Sequence, residues 1–224
     1  MTTAAHTSST TTLGDLVALA KPRITLMVIL TTAGGMFLAP IELSSARVVL
    51  TLLATAMVVG SANVLNCWLE RDVDKLMART KRRPLPDGRL DAKHALVLGI
   101  ALGAISVPTL TWVANPLTGL LAAVALVSYV LIYTPLKQKS WAALFVGAVP
   151  GALPPLLGWT AATGELGTPG IVLFLILFLW QLPHFIAISI FRQHEYTAAG
   201  IRTLPAQHGN AAAGTPCGSS VNDA

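Results

Sequence analysis

Six apolar runs constrain this chain more than any other feature: approximately residues 24–39, 48–69, 95–113, 117–133, 141–162 and 171–191. About 20 apolar residues in a helix cross a hydrocarbon layer about 30 Å thick. Lipid offers the backbone no water to bond, so each run must satisfy its own N–H and C=O groups, which a helix does and an open strand does not. Only 11% of the residues are charged against 54% hydrophobic, whereas a soluble domain carries about 25% charged residues. The expected fold is therefore all-α, a polytopic transmembrane helical bundle of about six spans, with the lipid bilayer as its partner and no nucleic acid. The first run is short, and Pro22 suits its opening turn.

The bases set the orientation. Of the 15 Lys and Arg residues, 14 fall on one side: Lys21 and Arg23 before the first run, the group from Arg71 to Lys93, Lys137 and Lys139, and Arg192 and Arg202. Arg47 alone falls on the other. The N-terminus and the charged loops are expected in the cytoplasm of a bacterial cell, with the spans in its inner membrane. Residues 1–15, rich in Thr, Ser and Ala, read as a disordered leader without the charged start of a signal peptide. Residues 206–224 read as a disordered tail, which leaves 16–205 as the membrane domain. Cys67 and Cys217 lie too far apart in character, one at a span end and one in the tail, to suggest a disulfide framework.

Charge gathers where the second run ends. The stretch 66–89, NCWLERDVDKLMARTKRRPLPDGR, holds four acids and seven bases. Asn66, Glu70 and Asp74 are spaced i, i+4, i+8, so on a helix they share one stripe about 12 Å long. Two carboxylates and an amide oxygen at that spacing suit Mg²⁺, a hard cation that keeps several waters and bridges phosphates. The competing reading is a solvated helix end whose acids pair with neighbouring bases. Asp72 faces the other side, where a base or a turn is its expected partner. Arg79 and Arg83 follow, and guanidinium groups grip phosphate oxygens in pairs. Pro84 and Pro86 end the helix and permit a loop that folds back, and Asp87-Gly88 reads as a turn. Tyr133 and Lys137 close the fourth run on the same side, able to meet a phosphate or to serve as an interfacial tyrosine with a snorkelling lysine. In the sixth run Gln181 and His184 are polar residues inside the membrane, costly unless they face a cavity or a partner, and Pro183 between them is expected to kink the helix. Glu195 lies just beyond that run.

Five motifs occur in order: N-x-x-x-E-R-D-x-D-x-x-M-x-R-T-x-x-R-P-L from Asn66, Y-T-P-L-K from Tyr133, the Gly- and Pro-rich GAVPGALPPLLGW from Gly147, W-Q-x-P-H-F from Trp180, and E-Y-x-x-A-G-I-x-x-L-P from Glu195. Together they resemble the UbiA-type membrane prenyltransferases over residues 16–205, and the first motif with W-Q-x-P-H-F resembles their haem-farnesylating branch. The resemblance implies a helical bundle around a cavity. It implies transfer of the farnesyl group of farnesyl diphosphate to a vinyl group of haem B, giving haem O for haem–copper oxidases. It assigns Asn66, Glu70 and Asp74 to a first metal–diphosphate motif and Glu195 to a second, with Mg²⁺ as the metal. Arg79, Arg83, Tyr133 and Lys137 fall where phosphate is held, and Gln181 and His184 where the haem is met, His184 counting among the catalytic positions. Haem A synthase or the oxidase assembly machinery becomes an expected contact.

Three departures accompany the resemblance. Glu70 stands where the superfamily usually has Asp. His194-Glu195 replaces a doubly acidic start, with Ala199 four residues on. Nine helices are expected of the family against six here, which reads as a C-terminally truncated form. The alternatives are a prenyltransferase acting on an aromatic or quinone precursor, an inactive remnant, or a transporter. Transport predicts charge at mid-membrane, whereas the spans hold no Asp or Glu at mid-depth.

Overall fold

The computed structural model describes residues 12–78 and 80–191, without the side chain of Leu13. Every regular element among them is helical. The first, α1 (Leu13–Leu19), lies partly within the stretch read as leader. Thr12 caps it by accepting from the Asp15 N–H, and the Asp15 side chain accepts in return from the Thr12 N–H, a reciprocal arrangement that satisfies two otherwise unpaired donors. Helix α2 (Pro22–Phe37) opens on its proline. Helix α3 (Ser45–Asp74) starts at Ser44, whose side chain accepts from the Arg47 N–H, and α4 (Ala92–Val113) starts at Asp91. Then come α5 (Pro116–Val127), a π-helical stretch (Ser128–Tyr133) and α6 (Thr134–Leu136), which form one continuous rod, followed by α7 (Ala143–Thr163) and α8 (Thr168–Phe191).

Five of these helices are long and apolar enough to cross a membrane, and α2, at 16 residues, is a shorter apolar helix. The six apolar runs thus correspond to the six long elements, the first the shortest. Two local features differ from the sequence reading. The fourth run widens into a π-helix just before Pro135. A proline lacks an N–H and crowds the carbonyl four residues back. The wider turn relieves this, and the Thr134 hydroxyl donates to the Tyr129 carbonyl at 2.8 Å. Helix α3 ends at Asp74, ten residues before Pro84, so Pro84 and Pro86, expected to end it, lie in the loop beyond; Pro183 lies within the continuous helix α8.

Helices α2, α3, α4, α5 and α7 form a ring, each packed on the next and α7 closing onto α2, while α8 rests on α7. Membrane helices gain little from the hydrophobic effect between them, so close approach at small residues holds them together. At the α2–α7 seam, a Cβ on Gly35 would lie 2.0 Å from the Pro155 carbonyl oxygen, and one on Gly158 would lie 1.9 Å from that of Thr32. Between α3 and α4 the Ser61 hydroxyl donates to the Gly99 carbonyl at 2.7 Å.

Arg47, the one base that the sequence pattern sets apart from the other 14, fastens the far end of the ring. Its guanidinium donates to the carbonyls of Val113 (3.1 Å), Ala114 (2.7 Å) and Ala161 (3.3 Å). These carbonyls terminate α4 and α7, where a cation also meets the negative end of the helix dipole.

Candidate functional site

At the opposite end of the ring, α2 begins, α3 ends and α6 ends. Helix α3 continues to Asp74, so the stripe of Asn66, Glu70 and Asp74 is helical and faces inward. The three residues are 1%, 5% and 1% exposed. Buried carboxylates are costly unless paired, and each has a cation from a different element. Lys137, just past α6, places Nζ 2.6 Å from Glu70 Oε1. Arg83, in the loop after α3, donates to Asp74 Oδ2 at 2.7 Å. Asn66 is engaged on both faces of its amide. Oδ1 accepts from Lys21 Nζ at 2.9 Å, and Nδ2 donates to the Thr134 hydroxyl at 3.2 Å.

The loop that carries Arg83 does fold back. The Thr80 hydroxyl donates to the Asp74 carbonyl at 2.8 Å. Leu85 and Leu90 anchor the loop by packing with Leu19, Val64, Cys67 and Ala95. Arg89 pairs with Asp87 and with Asp15, tying α1 to the same loop. Gly88, at φ +76, supplies the left-handed turn read from Asp87-Gly88. Asp72 faces outward and pairs with Lys75 and Arg71.

Lys21 reaches Asn66 from an uncommon backbone position, φ +49, which glycine adopts more readily than lysine. The carbonyl before it is held by the Asn63 amide at 3.1 Å and the Thr25 hydroxyl at 2.9 Å. Burial lowers the Lys21 pKa, and the neighbouring cations Arg83 and Lys137 push the same way. For Lys137 burial also acts downward, but Tyr133 and Glu70 outweigh it and the net shift is upward. Lys137 also lies 5.7 Å from the centre of the Tyr133 ring, which packs on Gly147, where a Cβ would come within 2.4 Å of the ring.

Gln181 and His184 lie elsewhere. Gln181 is buried in the α7–α8 seam. Its Oε1 occupies the space a Cβ on Gly151 would need, and its Nε2 donates to the Leu177 carbonyl at 3.3 Å. His184 lies on the exposed face of α8, stacked on Trp180 with ring centres 4.8 Å apart. Arg79 and Glu195 lie outside the described residues. Lys21 and Thr134 were missed as site residues. Lys21 read as an orientation signal and Thr134 as an unremarked letter of Y-T-P-L-K, although a lysine directly before the opening proline of a span was a signal of position.

The donor set fits a hard divalent cation. Glu70 Oε1 is buried without a hydrogen bond of good geometry, since Lys137 approaches it closely but off line. Among the described residues no three His, Cys, Asp or Glu side chains form a metal cage. An ion here would draw further oxygens from its ligand, as Mg²⁺ does on phosphates. Cations and carboxylates at one mouth are thus suited to a polyanion carried with a metal.

Comparison with known proteins gives the family. Residues 28–215 match the UbiA prenyltransferase family. Curated protoheme IX farnesyltransferases from Anaeromyxobacter dehalogenans and Myxococcus xanthus are 58% and 54% identical, each over 89% of this chain and 68% of its relative. That from Anaeromyxobacter sp. is 57% identical over 87% of this chain and 66% of its own length. The chain therefore spans about two thirds of the length of these relatives. Among solved structures, a UbiA homolog from Archaeoglobus fulgidus bound to DMAPP and Mg2+ superposes with a TM-score of 0.73 at 23% identity, covering 89% of this chain and 71% of that one. A digeranylgeranylglyceryl phosphate synthase superposes with a TM-score of 0.75 at 17% identity, covering 89% and 70%. The chain belongs to the UbiA prenyltransferase family, with the protoheme IX farnesyltransferases as its relatives within it.

Proposed function

We propose that this chain carries the metal–diphosphate site of a prenyltransferase that converts haem B to haem O. The observation that carries the reading is the cluster of Asn66, Glu70 and Asp74 with Lys21, Lys137 and Arg83 at one end of the ring. Its donors are those a prenyl diphosphate and Mg²⁺ require, and the relatives' names supply the acceptor.

In this reading Glu70, Asp74 and Asn66 would hold Mg²⁺, with Glu195 as a further ligand, and the metal would supply charge neutralisation for the diphosphate. Lys137, Arg83 and Arg79 face the oxygens that gain charge as the allylic C–O bond breaks. Fixed cations placed where charge develops lower the barrier without reorganising. Tyr133 donates to a phosphate oxygen from beside Lys137. The vinyl group of haem B gives its electron pair to the farnesyl carbon, forming the C–C bond as diphosphate departs. Water adds at the other vinyl carbon and loses a proton, giving a hydroxyethylfarnesyl side chain. The apolar ring wall keeps other water from the farnesyl cation. Gln181 orders the α7–α8 wall, and His184 contributes to the haem side. The chain sits in the bacterial inner membrane with the site facing the cytoplasm, and hands its product to haem A synthase or the oxidase assembly machinery.

The test is direct. Membranes containing this chain, supplied with haem B, farnesyl diphosphate and Mg²⁺, are assayed by mass for haem O, alone and with the C-terminal third of a full-length relative co-expressed. Product in either arm, lost in Asp74→Ala with membrane insertion intact, supports the reading. Prenylation of an aromatic acid in place of haem would move the chain to the quinone-precursor group, and absence of any prenylated product in both arms would refute it.

A further inference from the structure

Three donors of the site come from one helix, and each is paired with a cation from a different element: Asn66 with Lys21, Glu70 with Lys137, Asp74 with Arg83. The same atoms that would ligate a metal are the ones that hold the cations. Asn66 Oδ1 accepts from Lys21, Glu70 Oε1 contacts Lys137, and Asp74 Oδ2 accepts from Arg83. A metal at these oxygens competes with the cations, and an anion at the cations competes with the oxygens. Resting on the reading of this site as a metal–diphosphate site, we infer that the site loads by partner exchange. The three cations leave their protein partners for the phosphate oxygens as the metal takes those partners, so metal and diphosphate bind strongly only together. Lys21 is thereby a member of the site.

Charge favours the joint step. Three cations against two carboxylates leave this cluster with one net positive charge. A divalent metal alone raises it to three, and a diphosphate trianion alone reverses its sign. The two together bring it to zero. Charges a few ångströms apart with little water between them interact strongly, so each ligand alone meets a penalty that the other removes. Lys21 is built for the exchange. Its nitrogen meets Asn66 at 2.9 Å from a residue at φ +49, and two side chains hold the carbonyl just before it. Its released nitrogen needs an anionic partner, and the amide it leaves stays oriented by Thr134.

The experiment measures binding of each ligand without the other, on the full chain in detergent micelles, with no haem or farnesyl group present. Mn²⁺ alone is followed by electron paramagnetic resonance, and inorganic pyrophosphate with chelator by calorimetry. Lys137→Met and Lys21→Met should each raise the affinity for Mn²⁺ alone by about tenfold, within the usual range of coupling between sites. Glu70→Gln should raise affinity for metal-free pyrophosphate by a similar factor. Lys137→Gln replaces Lys137→Met if that variant fails to fold, as judged by its melt. A site whose cations merely hold phosphate gives no change in Mn²⁺ affinity in either lysine variant, and that result overturns the inference, as does pyrophosphate binding that is unchanged or weaker in Glu70→Gln. Neither readout depends on the acceptor. Partner exchange with no haem O formed would leave this inference standing and refute only the haem assignment.

Discussion

The α2–α7 seam gives a prediction whose size follows from geometry. Gly158→Ala places a methyl 1.9 Å from the Thr32 carbonyl oxygen and 2.8 Å from the Met36 nitrogen. Ordinary contact begins at 3.4 Å, so the backbones must part by about 1.5 Å, the difference between 3.4 and 1.9 Å. No side chain can yield instead, because both nearest atoms are backbone. Overpacking of this kind costs about 1–3 kcal/mol. Gly35→Ala opens the same seam one contact further along, with its methyl 2.0 Å from the Pro155 oxygen. Since one separation relieves both, the double variant should lose less than the sum of the singles. Gly34 is the control. Nothing lies within 4 Å of its added Cβ, and alanine there should stabilise by about 0.5–1 kcal/mol, the helical cost of glycine. The assay is SDS unfolding from dodecylmaltoside micelles, read by tryptophan fluorescence. Because α2 begins directly after Lys21, parting the seam should also loosen the Lys21–Asn66 bond and lower activity in the haem assay. Gly158→Ala as stable as the parent, or as Gly34→Ala, would refute the reasoning that backbone contact at these glycines sets the position of α2.

Three other tests follow from single contacts. Arg47→Met should destabilise the chain by about 1.5–3 kcal/mol, the worth of hydrogen bonds to a charged group, since it strips the Val113, Ala114 and Ala161 carbonyls of their donor; an unchanged SDS midpoint would show that water replaces it. The Asp15 carboxyl is held below the usual carboxylate range, first by the Thr12 side chain, then by the Thr12 N–H, with Arg89 adding. A depressed folded value means that its stabilisation is present above about pH 4 and fades as pH falls through the folded value; Asp15→Asn should lack that acid-side loss, measured by protease protection of α1 between pH 6 and pH 3. His184→Ala should fold normally, because its ring lies on the exposed face of α8, and should weaken haem use more than farnesyl diphosphate binding; equal loss of both would make the residue structural.

Much of the candidate site could be read along one helix. The i, i+4, i+8 spacing placed Asn66, Glu70 and Asp74 on one stripe, and α3 does carry them together, because a helix's period fixes which side chains share a face. Arg83 was readable in part: a loop that folds back was expected after it, but α3 already ends at Asp74, ten residues before Pro84, so the prolines lie in that loop and do not stop the helix. Lys21 and Thr134 were not. They stand 45 and 68 positions from Asn66, and no local pattern reports a meeting over that distance. The π-helical stretch was hidden for a related reason: Pro135 announces a disturbance, but whether a helix kinks, breaks or widens depends on what Thr134 and its neighbours can bond. At Pro183, by contrast, the helical assignment continues without a widened turn.

The sequence by itself determined that the chain is a membrane bundle, where its helices run, which end carries the charge and which family it resembles. Hydrophobic run length, helical period and residue chemistry are local properties, and each of those conclusions rests on them. Tertiary structure alone decided which residues meet. It set Lys21, Lys137 and Arg83 each against its own donor, sent Gln181 into the Gly151 notch and left His184 on the exposed face of α8. These outcomes depend on how closely and at what rotation the helices pack, and that is governed by backbone contacts at Gly35, Gly158 and their partners. A contact of that kind exists only once two distant segments have come together.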